Sequence, residues 1–483
     1  MIALLSLVPC AVVAVAVIVM RWSGLTSAIL AFVCALVIWA SGVFSPVQIE
    51  QLNRAILDAL ILELLVGVVI FLGLLFVETI SRCGSLVALG DAIETLSLAP
   101  PRAAILIAVG IGVLLESLTG YGVSMLVTVP LLLRITSRGR AFFLALVGMS
   151  LMSWGALSIA ALLGAEIAGL PQQTLAAEIL KTSGPIAFVL PIFCLLAVPP
   201  SDLKDVLYAV GAGIALFLGI ALTSSWIGVE AAGVGGGIAV VLYSLLFSPS
   251  RGHFLRALTA PESRPYGLLI AAVVVQKLAV PHITAIGIAP AIETARVSFY
   301  VLGSPAIALA TATLLCISWR RIAKHQELES TLLGNTTTRS WRALAGILFF
   351  LLTARLLVET GAIIALADML SELGAYAAIA SVATLGGIGS YVTGSGVTSN
   401  ALFMTSAAVT GASLDWVPLF AALQHSGSAH FGIASMPIIA ILLAALPHRE
   451  ADDERKAMRL GLGLALIWLL FVITSGTVQF AIS

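Results

Sequence analysis

The 483-residue chain is 60% hydrophobic and 10% charged, and its 24 Lys and Arg are matched by 24 Asp and Glu; a soluble domain carries about a quarter charged residues. No single water-soluble core of this size hides so much apolar surface, and without a basic excess nucleic acid is not an expected partner. Five cysteines, Cys10, Cys34, Cys83, Cys194 and Cys316, lie in or beside apolar runs with no CxxC pair and no nearby His, so they read as small core residues; neither a metal nor a cofactor is expected.

Along the chain the apolar residues fall in runs of about 17 to 25, the length a helix needs to cross about 30 Å of hydrocarbon. The first, Met1 to Met20, lacks a basic leader and an A-x-A cleavage site and reads as a retained helix. Spans are expected at 1–20, 25–43, 58–77, 141–164, 184–200, 203–223, 228–248, 266–280, 299–318, 341–358, 418–447 and 458–478. Two further apolar stretches, 102–134 and 375–412, are interrupted in the middle by Gly and hydroxyl residues. Basic residues are held on the cytoplasmic side, which places the loops Arg134 to Arg140, Arg251 to Arg264 and Arg320 to Arg342 inside. Loops 165–183, 224–227, 281–298 and 359–374 are poor in Lys and Arg and fall outside. Stretch 102–134 then begins and ends inside and stretch 375–412 begins and ends outside, so each is a hairpin and one enters from each face. Arg355, with Glu359 four residues on, reads as snorkelling or as an i,i+4 pair; Lys277 reads the same way.

The two hairpins sit in an internal repeat. Gly84-Ser-Leu-Val-Ala-Leu-Gly-Asp91 resembles Gly361-Ala-Ile-Ile-Ala-Leu-Ala-Asp368, and Phe76-Val-Glu-Thr79 echoes Leu357-Val-Glu-Thr360. Thr119-Gly-Tyr-Gly-Val-Ser124 matches Thr393-Gly-Ser-Gly-Val-Thr398, and Gly155 and Ser158 line up with Gly432 and Ser435. Span 58–77 runs inward and its partner 341–358 runs outward, so the repeats have inverted topology, a hallmark of secondary transporters with a site near the midplane. The expected fold is an all-α polytopic membrane protein of about 12 transmembrane helices plus two hairpins. It divides into N-terminal helices (1–57), a first inverted repeat (58–200), central helices with a cytoplasmic loop (201–340) and a second inverted repeat (341–483).

Interrupted helices at membrane depth are costly unless the freed backbone groups bind protein, water or a ligand. At the first tip Glu116 offers a carboxylate, Ser117, Thr119, Tyr121 and Ser124 offer hydroxyls, and Gly120 and Gly122 allow close approach to the backbone. At the second, Thr393, Gly394, Ser395, Gly396, Thr398, Ser399 and Asn400 precede a helix expected to begin at Ala401, whose N-terminus suits an anion. An intramembrane carboxylate is costly and usually functional, which makes Glu116 the candidate carrier of a coupling proton; its structural alternative is bonding within the hairpin. Span 418–447 is too long for one plain helix and contains Gln424-His-Ser-Gly-Ser-Ala-His430, suggesting a third break. There His425 and His430 are candidate titrating groups or neutral core histidines, and Ser426 is a candidate ligand. Expected partners are a small organic anion, a coupling proton or Na+, the lipid bilayer and, where the chain self-assembles, further copies in a homo-oligomer. A channel or a Na+-driven transporter or antiporter would use the same broken helices. The chain has no HExxH and no GxSxG motif, so an enzyme is not expected.

At these tips the chain resembles the lactate permease family, whose members carry E-G-A-A-G-F-G-x-P-V in the first half and T-G-S-D-T-S-S-N-A-L-F in the second. The counterparts here are Glu116-Ser-Leu-Thr-Gly-Tyr-Gly-Val-Ser124 and Thr393-Gly-Ser-Gly-Val-Thr-Ser-Asn-Ala-Leu-Phe403. The resemblance implies proton-coupled import of lactate or a related short 2-hydroxy monocarboxylate such as glycolate across the cytoplasmic membrane, on a fold grouped with hairpin-containing ion transporters. Gly396 stands where the family has Asp, Ser124 where it has Pro, and Gly432 where it has Lys.

Overall fold

A helix satisfies every backbone N–H and C=O internally, so apolar runs of this length fold as helices where no water is at hand. The computed structural model, which describes residues 2–94, 96–120, 122–200, 202–258, 260–322 and 331–482, is almost entirely helical. Among the described residues, eight helices are long and apolar enough to cross a membrane, and up to ten if each of two bent pairs is one span. The protein is an integral, multi-pass membrane protein.

The elements follow the same order in each half. A long helix (Ile49–Arg82; Leu332–Glu359) leads to a short one (Ser85–Glu94; Ala362–Glu372). Two helices then meet at a tip, Pro100–Thr119 with Ser124–Ile135 in the first half and Ala375–Thr393 with Gly396–Ser413 in the second. A helix that stops and resumes comes next, Arg138–Gly148 to Ile159–Ala168 and Val417–Phe431 to Met436–Ala444. All four sequence matches fall at equivalent places in this order. The halves end differently: Gln172–Thr182 and Ile186–Ala197 are bent by 40°, whereas Asp453–Ile482 is continuous.

Several expected spans have different bounds: that at 299–318 turns helical only at Ala306, after the strand Ser298–Tyr300, and that at 341–358 lies within the 28-residue helix Leu332–Glu359. The span at 58–77 is the middle of a 34-residue helix, about 51 Å long at 1.5 Å per residue and so longer than the hydrocarbon is thick. Its start is fixed by a capping box between Gln48 and Gln51. The span at 141–164 is interrupted: after Gly148 the chain passes through two short 3-10 turns, and Ala156, Leu157 and Ser158 all have left-handed φ of 49°, 52° and 55°.

The loop expected at 281–298 contains an antiparallel hairpin pairing Ala291–Glu293 with Ser298–Tyr300. Acids from three helices hold it. Thr294 Oγ1 donates to Asp58 Oδ1 at 2.5 Å, Arg296 pairs with Glu359, and the Ser298 N–H and hydroxyl donate to Glu166. Arg296 thereby takes the carboxylate that the i,i+4 spacing assigned to Arg355, which is itself 7% exposed. Lys277 pairs with Glu230 at 2.5 Å.

Candidate functional site

At the first tip the arm Pro100–Thr119 ends at Gly120, whose φ of 69° and ψ of −171° lie in a region open essentially to glycine alone. Gly122, at φ 75°, completes the reversal. Glu116, 3% exposed, reaches across it: Oε1 accepts from the Gly122 N–H at 3.2 Å and Oε2 from Ser124 Oγ at 2.9 Å. The carboxylate thus sits on the N-terminus of the return arm, where free N–H groups and the helix dipole favour an anion. Its hairpin bonds are the structural alternative of the sequence analysis, and they leave it on the wall of a cavity.

At the second tip Gly394, at φ 75°, closes the arm Ala375–Thr393, and its N–H donates to Ser390 O at 2.8 Å. Ser395 caps the return arm by accepting from the Thr398 N–H. That helix begins at Gly396 and not at Ala401, so Thr398, Ser399 and Asn400 lie in its first turns and are buried. The cap moves the start five residues forward.

The two tips meet at a cavity of about 110 Å³. The first supplies Glu116 and Gly120, the second Gly394, Ser395 and Gly396, and the two helix breaks complete the wall with Gly155 and Ala156, His425 and Ser428, and Pro437. Three helices begin at this cavity. Gly396 and Val397 open Gly396–Ser413, Ile159 and Ala160 open Ile159–Ala168, and Pro437 and Ile438 open Met436–Ala444; all six residues line it. The first-turn N–H groups of Gly396 and Val397, with the positive dipole ends of all three helices, make it a place for an anion; Ile159 N–H is already given to Ala156 O and Pro437 has none to give. Glu116 is the only carboxylate among the described lining residues.

The other predicted residues divide. His425 lines the cavity; Asn400 Nδ2 donates to its Nδ1 at 3.0 Å and its Nε2 meets Ser153 O at 3.1 Å, the pattern of a neutral ring with its proton on Nε2. Asn400 also donates to Ala160 O at 2.8 Å, tying the second hairpin to the first half, while its Oδ1 is buried without a partner. His430 and Ser426 do not line the cavity but belong to a buried network behind it, joined to His425 through Ser153: His430 Nδ1 bonds Ser150 O at 2.6 Å and Nε2 meets Ser183 Oγ at 2.8 Å, while Ser183 donates to Ser426 and meets Ser153 Oγ at 3.2 Å. Thr119, Thr393 and Ser399 turn their hydroxyls onto the carbonyls of Leu115, Gly389 and Gly386, and Ser117 packs against Gly233. Tyr121 lies outside the described residues. Sequence reasoning missed Met152 to Ala160 as a wall of the site; the repeat match of Gly155 and Ser158 with Gly432 and Ser435 was the signal available.

A family model described as L-lactate permease matches residues 267–482, which takes in the second tip and second break but not the first hairpin. No curated protein matches the chain. The match to the family model supports the chain's membership of the lactate permease family, a family of transporters.

Proposed function

We propose that the cavity between the tips is the substrate site of a secondary transporter in the cytoplasmic membrane, importing lactate or a related short 2-hydroxy monocarboxylate by proton symport. The observation that carries this reading is the meeting of three helix N-termini around a small cavity whose one carboxylate, Glu116, already occupies a fourth. Glu116 and the substrate carboxylate are like charges in one buried space, and each disfavours the other. A proton on Glu116 removes that repulsion and weakens its hold on the Gly122 N–H and Ser124, so proton and anion bind best together. Such coupling is reciprocal. Ser395, Ser428 and the backbone N–H groups of Gly396 and Val397 would hold the anion, and His425 and Asn400 would fix the second break. The repeats, inverted across the membrane, would rock against each other to expose the site to each side in turn.

The test is uptake of labelled lactate or glycolate into proteoliposomes under an imposed pH gradient. Uptake that collapses with the gradient supports symport. Uptake indifferent to the gradient but dependent on Na+ would replace it with a Na+-coupled transporter or antiporter of small organic anions.

A further inference from the structure

Behind the arm that carries Glu116 lies a larger groove of about 680 Å³, within the range of about 300–1,000 Å³ typical of ligand sites. Leu114, Leu115 and Leu118 of that arm form one wall, and helices Val229–Leu246 and Arg264–Ala285 form the others. Leu242 and Leu315, both exposed, form its lip, so it opens sideways toward the hydrocarbon. Its wall is apolar except for Ser263, Arg264 and Tyr266, which are neighbours in sequence at one end. Tyr266 is 8% exposed, and its buried hydroxyl has no hydrogen-bond partner among the described residues. An unsatisfied buried hydroxyl is costly, and it lines a groove in which a ligand would satisfy it.

We infer that this groove binds one anionic phospholipid, with an acyl chain along Leu114, Leu118 and Leu242 and the headgroup at Arg264 and Tyr266. The shape is that of an amphiphile: a long apolar trough with a basic, hydrogen-bonding end. Charge chooses the headgroup. Arg251, Arg256 and Arg264 outnumber Glu262 in this segment, and basic pockets between transmembrane helices on the cytoplasmic side suit anionic lipids. The chain supports the hairpin arm from the side opposite the substrate cavity, and the site stands independently of the transport reading.

Native mass spectrometry of the delipidated full-length protein, titrated with phosphatidylglycerol or phosphatidylcholine of identical chains, tests it. One phosphatidylglycerol is expected to be held about fivefold more tightly than phosphatidylcholine, a preference that Arg264→Gln removes. Tyr266→Phe weakens both lipids, and Leu242→Trp, which fills the groove from its exposed lip, displaces the bound lipid. Equal retention of the two lipids, or retention unchanged in all three variants, overturns the proposal. So does competition by glycerol 3-phosphate as effective as that by the lipid, which would make this a site for a soluble phosphate ester.

Discussion

The two tips are built alike and charged differently. Each reverses on glycine at positive φ and hands over to a helix whose N-terminus a side chain caps. At the first tip a residue of the incoming arm, Glu116, supplies the anion for that N-terminus; at the second, Ser395 supplies a neutral cap and leaves Gly396 and Val397 facing the cavity. One side therefore presents a carboxyl group, and the other presents backbone N–H groups to the cavity. The helix breaks differ too. Gly432–Ala434 is an ordinary 3-10 turn, whereas Ala156, Leu157 and Ser158 are consecutive left-handed residues without a glycine among them, at a cost of about 1–2 kcal/mol each. Ser158 Oγ, bonded to Val229 O at 2.7 Å, helps to hold that strained turn. The first half thus holds both the charge and the strain.

The largest effect is expected from removing the charge. Glu116→Gln imitates the protonated acid, so lactate binding should persist and lose its pH dependence, while gradient-driven uptake falls to background; binding that keeps its pH dependence would assign the proton elsewhere. Next comes Gly120→Ala, because a Cβ there meets Ala156 at a backbone conformation that side chains avoid. A loss of about 3 kcal/mol in thermal or denaturant stability is expected, partly recovered when Ala156→Gly is added, which is the non-additivity expected of touching residues. Full additivity in that cycle would mean that the tip and the break are not in contact. Ser395→Ala removes the cap of the second tip and should cost about 1 kcal/mol without altering the pH dependence of binding, which separates the neutral tip from the charged one. Smallest is Ala156→Gly alone, expected to stabilise by roughly 1 kcal/mol as left-handed strain is relieved; a destabilised variant would show that the turn is not strained.

Much of this arrangement is legible in the sequence. The Gly and hydroxyl interruptions mark both tips, the repeat pairs them, and Glu116 stands out because carboxylates are rare inside apolar runs. What composition does not reveal is the direction of each hydroxyl. Thr119 and Thr393 sit at the ends of helices, where a hydroxyl readily bonds the carbonyl four residues back, so they do not reach the cavity although their neighbours do. The start of the second return helix, expected at Ala401, is set instead at Gly396 by the Ser395 side-chain cap. The left-handed turn at Ala156 to Ser158 had no local signal, since nothing in Ala-Leu-Ser favours positive φ; tertiary packing imposes it. The placing of His430 and Ser426 away from the cavity rests on contacts with Ser150 and Ser183, more than 240 residues away in sequence.

The central claim is that the cavity between the tips binds a small carboxylate through helix N-termini. Thermal stabilisation of the purified protein tests it most directly, since a ligand that binds only the folded state raises its stability, by about 2.7 kcal/mol at 100 times its Kd. Lactate and glycolate should stabilise the protein and lactamide, equal in shape but uncharged, should not, and Ala160→Leu, which fills the cavity from its wall, should abolish the effect. Stabilisation by lactamide equal to that by lactate, or stabilisation by lactate unchanged in Ala160→Leu, would contradict the account.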